Sequence, residues 1–292
     1  MPLLFDRGPS LRLEDFRLLR DLINRFCGIH FGEDAIYVLE RRLRERLAEL
    51  GFFDFAQYYQ HLRYHPEGSK ELEHAVEILT TNETYFFREH YQLEAFCKEV
   101  LPELKARAER RGTRRLALWS AGCSTGEEVY TLAILAVDSG LFSGWDLRVF
   151  GNDISRQVLQ KARRGVYGPS SFRTMPERYY SYFVEAPGGH RVHPHIRSMC
   201  HFGHLNLLEH GRTAIVGRVD ATFCRNVMIY FDPESRRRVI RTFYDRLIPG
   251  GYLLLGHSES LLNVSTDFEL VHLSSDMVYR RADPRADASG AP

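Results

Sequence analysis

Residues 119–128 read WSAGCSTGEE, and three kinds of chemistry suit residues of these types at this spacing. Gly122-x-Ser124-x-Gly126 has the pattern of a nucleophile elbow, in which a serine on a sharp strand-to-helix turn attacks a carbonyl. Asp220 and His257 follow in the chain order that a serine hydrolase triad needs. A glycine-rich loop also suits a phosphate, whose oxygens pair with backbone N–H groups. Glu127 and Glu128 close the stretch, however, and carboxylates suit hydroxyls or a cation.

The surrounding sequence separates these readings. An α/β-hydrolase places several strands and an oxyanion loop ahead of its elbow, whereas everything before residue 114 reads as helix. The phosphate loop G-x-x-x-x-G-K-[ST] requires a lysine, and the acids stand here instead. What remains is a tight loop at the carboxyl end of a first parallel strand, the place where open α/β sheets bind ligands. The next strand ends in Asp153, 27 residues past Gly126 and near the spacing at which an acid accepts from ribose hydroxyls. The alternative role for Asp153 is to cap the helix that follows, DISRQVLQKA. A nucleoside without phosphate that carries positive charge describes S-adenosylmethionine.

Those residues must be positioned by a core, and 44% hydrophobic content in 292 residues suffices for one large domain or two small ones. From about 11 to 80, apolar residues recur at three and four: Phe16, Leu19, Leu22, Ile23 and Phe26, then Leu39, Leu43, Leu47 and Leu50, then Leu72, Ala75, Val76 and Leu79. After TTNETYFFRE a longer helix runs to about Arg111 and stops at Gly112. The texture then alternates strands (114–120, 146–153, 220–226, 252–258) with helices, which predicts a mostly parallel sheet covered on both faces. Between Gly168 and His204 the rhythm breaks around EAPGGH, read as a β-hairpin insertion, and DFELVHLSSDMVYR reads as two antiparallel closing strands. These elements give an N-terminal helical domain with linker (1–85), an α/β domain (86–281) carrying an inserted β-subdomain (168–204), and a disordered tail (282–292).

Several separated motifs now stand in a diagnostic order: TTNETYFFRE, WSAGCSTGEE, GNDIS, NLL, FCRNVMIYFD and LIPGGYLLLGHSE. Over roughly residues 10–280 the chain resembles the CheR-type chemotaxis receptor methyltransferases. The resemblance implies a Rossmann-like S-adenosylmethionine-binding sheet with a helical N-terminal domain and a small antiparallel β-subdomain. It implies methyl transfer to glutamate side chains in the cytoplasmic helical bundle of chemoreceptors, with S-adenosylhomocysteine as co-product. The family's cofactor contacts fall on Asn82, Thr84 and Arg88, on Glu128 in preference to Glu127, on Asp153, Asn206 and Leu207, and on Arg225 and Asn226. Arg88 is expected to hold a carboxylate, either the methionine end of the cofactor or the incoming glutamate, because guanidinium binds carboxylate bidentately. Tyr230 matches an aromatic that the family places in the active site, although V-M-I-Y-F also reads as a packed strand-to-helix corner. A non-catalytic cofactor-binding scaffold would carry the same motifs.

The net charge of +1 supplies no field for a nucleic acid, and no N-P-P-[YFW]-like motif is present. Five cysteines without a C-x-x-C pair fit reduced thiols, and MPLLFDRGPS lacks a signal-peptide pattern, so a cytoplasmic protein without membrane insertion is expected. A monomer is expected as well. His190, His193, His195, His201 and His204 crowd one segment without a ligand pattern, and no metal is expected; His193 and His195 read as the exposed face of a strand. The turn EAPGG is short, and by resemblance such members bind receptors independently of a C-terminal pentapeptide. Arg41, Arg42, Arg44 and Arg46 suit steering toward an acidic receptor, or a self-compensated face with Glu40, Glu45 and Glu49.

Overall fold

A computed structural model describes residues 9–283. The expected disordered tail lies outside the described residues from 284 onward, while Asp283 is paired with Arg107 at 3.0 Å. The chain divides into two compact units, one reaching Thr81 and taking in Tyr230–Asp232, the other comprising Asn82–Ile229 and the chain from Pro233.

The first unit contains α1 (Leu13–Cys27), α2 (Ile36–Leu50), α3 (Phe55–Tyr64) and α4 (Gly68–Leu79). The three-and-four spacing turns Phe16, Leu19, Leu22 and Ile23 of α1, and Leu39, Leu43 and Leu47 of α2, into one core. Leu50 continues that spacing but is exposed, because it ends its helix. The arginine run is mostly consumed internally. Arg42 donates to the α4 carbonyl of Leu79 (2.6 Å), Arg44 pairs with Glu40, and Arg46 pairs with Glu49 (2.9 Å) and with buried Glu71 (2.6 Å). Tyr230–Asp232 joins this unit through His30 N–H to the Tyr230 carbonyl (2.8 Å) and Asn24 Nδ2 to Asp232 (2.8 Å).

The second unit opens with α5 (His90–Ala95), a π-helical turn (Phe96–Val100) and α6 (Leu101–Arg110), which run on without a break. There follow β1 (Arg115–Ala121), α7 (Glu127–Asp138), β2 (Asp146–Asp153), α8 (Arg156–Arg164), β3 (Val166–Tyr167), β4 (Phe183–Ala186), β5 (Gly189–Val192), the single turn α9 (Pro194–Arg197) and β6 (Cys200–His204). The unit ends with β7 (Val219–Cys224), α10 (Pro233–Arg246), β8 (Leu247–Leu255), β9 (Phe268–His272) and β10 (Met277–Arg281). The main sheet has the order β6-β2-β1-β7-β8-β10-β9, parallel from β6 through β8 and antiparallel at β10 and β9. Every residue of β7 and all but the first of β1 are buried, as central parallel strands covered on both faces must be. The chain moves outward from β1 to β2 and β6, then returns to β7 on the other side of β1, so the direction of winding switches between β1 and β7.

Two local readings differ from the structure. Cys200–His204, which the sequence pattern puts at the end of the inserted segment, pairs in parallel with β2 and extends the main sheet. Its alternation is short and polar, which hid an edge strand. The small sheet is β3-β5-β4 and begins at Val166. His193 and His195 do not lie on a strand, because Pro194 opens α9 and His193 caps it through its ring nitrogen to His195 N (3.3 Å). Among the described residues no helix is long and apolar enough to cross a membrane.

Candidate functional site

The loop after β1 is fastened to the end of β2. The Asn152 carbonyl accepts from both Gly122 N (2.9 Å) and Cys123 N (2.8 Å), and the Asp153 carboxylate accepts from Ser124 N (2.8 Å). The Asn152 side chain is itself clamped, accepting from Trp119 Nε1 (2.7 Å) and donating to the Leu205 carbonyl (3.0 Å). Glycine is required at the first bend: Gly122 has φ +77°, and a Cβ there would lie 2.6 Å from Val227 Cγ2. At the second bend Gly126, φ +93°, precedes α7, and a Cβ would meet Ala162 Cβ at 2.8 Å.

Glu127 and Glu128 diverge from this bend. Glu128 turns toward the sheet, accepting from Ser120 Oγ (2.7 Å) and from Arg225 Nε (2.6 Å) at the end of β7. Glu127 turns toward the small subdomain and accepts from Thr125 Oγ1 (2.6 Å) and Ser171 Oγ (2.9 Å). Glu128 therefore borders the winding switch between β1 and β7, and Glu127 does not. Burial pushes the Glu127 carboxyl above the usual carboxylate range despite those two hydroxyls.

Arg225 is a bracket more than an exposed cation. Its side chain is 2% exposed, and besides Glu128 it donates Nη1 to the Arg88 carbonyl (2.9 Å) and lies 3.8 Å from Glu89. That bond holds the segment from Asn82 to Glu89, which carries left-handed backbone at two non-glycine residues, Phe87 (φ 59°) and Glu89 (φ 55°). Such residues each cost on the order of 1–3 kcal/mol and persist only where packing imposes them. The packing here is aromatic. Phe86 stands edge-on to Tyr167 and Phe183 and stacked on Phe172, while Phe87 stacks on Tyr179 at 4.2 Å. With both phenylalanines buried, Arg88 emerges half-buried between the two strained residues, donating only to the Glu83 carbonyl (2.9 Å) among the described residues and lying 5.7 Å from the Tyr85 ring.

The other expected residues collect at the same strand ends, with one exception. The Asn82 carbonyl accepts from Ser124 Oγ (3.3 Å), and Thr84 is half-buried two residues on. Asn206 and Leu207 follow β6 and are buried; Asn206 Oδ1 accepts from Leu208 N (3.0 Å), and Leu205 N donates to the Asp153 carbonyl (3.1 Å). Asn226 has φ 59°, and its Oδ1 is buried without a hydrogen-bond partner. Tyr230 is the exception, since it groups with the helical unit.

Residues that sequence reasoning missed hold these in place. Glu259 accepts from four successive amides, Asn226, Val227, Met228 and Ile229, and from Gly256 (2.7 to 3.2 Å). Its motif GHSE was visible, but nothing in the sequence says that the carboxylate faces backbone across a gap of 30 residues. Asn152, beside Asp153 in GNDIS, is equally a backbone clamp.

The hydrolase constellation does not assemble. Ser124 has the strained φ of an elbow, 48°, but its hydroxyl donates to a carbonyl. Asp220 lies at the opposite end of the sheet, accepting from Ala117 N (2.8 Å) and Arg111 (3.1 Å), and His257 stands 4.0 Å from Glu89. Neighbouring Cys123 is fully buried, which raises its thiol pKa well above the ordinary value and leaves no thiolate nucleophile. Among the described residues no three His, Cys, Asp or Glu side chains come together to hold a metal.

The residues fit an adenosyl sulfonium. The Asp153 carboxyl, raised above the usual aspartate range by burial against its amide donors, closes β2 as a hydroxyl acceptor. Glu128 and Glu89 suit positive charge, and the unpartnered Asn226 Oδ1 needs a donor. A parallel sheet core with an acidic, lysine-free loop at its winding switch suits a nucleoside better than a phosphate group.

Comparison with known proteins makes this specific. Residues 82–277 match the family model described as "CheR methyltransferase, SAM binding domain", and residues 14–80 match "CheR methyltransferase, all-alpha domain". The chain belongs to the CheR methyltransferase family and is an S-adenosylmethionine-dependent methyltransferase. It is 35% identical over 275 residues to chemotaxis protein methyltransferase 2 of Vibrio cholerae, covering 91% of this chain and 92% of the relative. It is 38% identical over 263 residues to the chemotaxis protein methyltransferase of Salmonella typhimurium, covering 87% and 86%.

Breaking the bracket should be costly. Arg225→Ala leaves Glu128 with an uncompensated charge and is expected to lower the unfolding free energy by about 3–5 kcal/mol. Both tryptophans, Trp119 and Trp145, lie in the second unit, so urea denaturation followed by tryptophan fluorescence reads that unit. Adding Glu128→Gln should restore part of the loss. A loss under about 1 kcal/mol would place the pair among ordinary surface bridges.

Proposed function

We infer that this protein transfers the methyl group of S-adenosylmethionine to glutamate side-chain carboxylates in the cytoplasmic helical domain of chemoreceptors, in chemotaxis adaptation or related signalling. The products are glutamate γ-methyl esters and S-adenosylhomocysteine. The observation that supports this reading is that Arg225, at the end of β7, holds both Glu128 and the carbonyl of Arg88, while Asp153 closes β2 against the loop after β1. The curated relatives are named for the same process. The protein acts in the cytoplasm as a monomer, and the short turn at residues 185–189 supports receptor engagement without a C-terminal pentapeptide.

When bound, the cofactor supplies an electrophilic methyl group on a sulfonium. Asp153 accepts from the sugar hydroxyls, and Asn206 and Leu207 line the base. Asn82, Thr84 and Asn226 orient the amino-acid end, and Glu128, set by Arg225, answers positive charge. A glutamate acceptor is already ionised near neutral pH, so no residue need act as general base. The remaining task is alignment and exclusion of water. Arg88 clamps a carboxylate, and Tyr230 orients the acceptor through its hydroxyl.

Incubation with labelled cofactor and receptor cytoplasmic fragments should give base-labile label released as methanol, and fragments with glutamine at the accepting positions should give none. Arg88→Ala should lower kcat/KM by about 10- to 100-fold, the value of a charged hydrogen bond. Tyr230→Phe should lower kcat with little change in cofactor affinity. Normal kinetics in both variants would remove these residues from the reaction.

The affinity for S-adenosylhomocysteine should depend on pH through Asp153. Burial raises its pKa, and the ionised form accepts from two hydroxyls. Binding is therefore complete at neutral pH and weakens as pH falls through the raised value, earlier than an exposed aspartate would titrate. Asp153→Asn should bind more weakly at neutral pH and flatten this limb. The same profile in both proteins would exclude Asp153 as the sugar acceptor.

A further inference from the structure

The second unit holds a cavity of about 710 Å3 that the methyl-transfer reading leaves unused. It lies where the last turn of α8, the small sheet and the start of α7 meet, and its walls include Lys161, Arg164, Arg191, Arg197, Glu127 and Ser171. Four of its lining side chains are basic, and Glu127 is the one carboxylate, so the wall carries a formal charge of +3 (four minus one). The whole chain carries +1. An excess of this size on one concave wall is a local arrangement, not a consequence of composition.

Placement of the cations follows from three separate elements. Lys161 and Arg164 end α8, where basic residues complement the helix dipole. That account does not reach Arg191, which β5 brings beside Val166 of β3 and beside Val184 of β4. Nor does it reach Arg197 of α9, which donates to the Arg163 carbonyl (3.0 Å) and so fixes its guanidinium against the end of α8. Among the described residues Lys161, Arg164 and Arg191 have no salt bridge within 4.0 Å, whereas Arg44, Arg46 and Arg225 are each paired with a carboxylate. Glu127 accepts from Thr125 and Ser171, which line the same cavity, and as a single carboxylate it neutralises only part of the wall.

We propose that this cavity is a second ligand site, distinct from the adenosyl crevice, for a phosphorylated small molecule of about mononucleotide size. Converging guanidinium groups bind phosphate oxygens bidentately, and the volume is within the range of about 300–1,000 Å3 seen for small-molecule pockets.

Calorimetric titration of the full chain with inorganic pyrophosphate and, separately, with guanosine diphosphate tests this, with S-adenosylhomocysteine present in excess. Pyrophosphate carries no adenosyl group, so its result stands whether or not the cofactor reading holds. Saturable one-site binding of either probe is expected, weakened at least about tenfold in Arg164→Ala/Arg191→Ala, the loss of two charged contacts. Those side chains are exposed and outside the methyl-transfer machinery, so affinity for S-adenosylhomocysteine should stay within about twofold. No saturable binding of either probe, or binding unchanged by the double substitution, overturns the proposal. Occupation of the cavity by an acidic peptide but by neither probe also overturns it.

Discussion

Two consecutive amides, Gly122 and Cys123, share the carbonyl of Asn152, and the next amide reaches the carboxylate of Asp153. The site depends on this attachment of one strand's loop to the end of its neighbour. It removes three backbone donors from the crevice, so the loop presents no nest of free N–H groups for a phosphate. It also stations a buried acid at the strand end. The same contact therefore discourages one ligand class and favours another. The left-handed bend at Gly122 is the geometric condition, since a side chain there would strike Val227.

Charge is distributed around that loop by sidedness. Glu127 and Glu128 share a helical turn but address different neighbours, the first hydroxyls of Thr125 and Ser171, the second Ser120 and Arg225. Arg225 in turn ties the carbonyl of Arg88 to the end of β7. Buried Phe86 and Phe87 supply the opposing push. The strained backbone that carries Arg88 is thus held by packing on one side and by a buried guanidinium on the other. Glu259 does the corresponding work for Asn226–Ile229, tying four amides to a single carboxylate.

Much of this was legible in the residues. The three-and-four spacing of Phe16 through Leu79 is enough to mark the helical unit, and the apolar runs up to Asp153 and Arg225 are enough to mark two central strands. Residue type alone carried the exclusion of a phosphate loop, because Glu replaced Lys. Less legible was anything decided by long-range pairing. Cys200–His204 is too short and polar to announce an edge strand, and Pro194 turned two histidines from a supposed strand into a helical cap. Which of Glu127 and Glu128 faces the switch depends on helix phase relative to a partner 97 residues away, and no local pattern encodes that. Asn152 and Glu259 were hidden because their partners are backbone groups, which have no sequence signature.

A crystal structure of the protein with S-adenosylhomocysteine tests the central claim most directly. The account predicts the adenosyl group in the crevice beside residues 122–126, with both ribose hydroxyls within about 2.6–3.2 Å of Asp153. Ligand density elsewhere, or a ribose out of reach of Asp153, would contradict it.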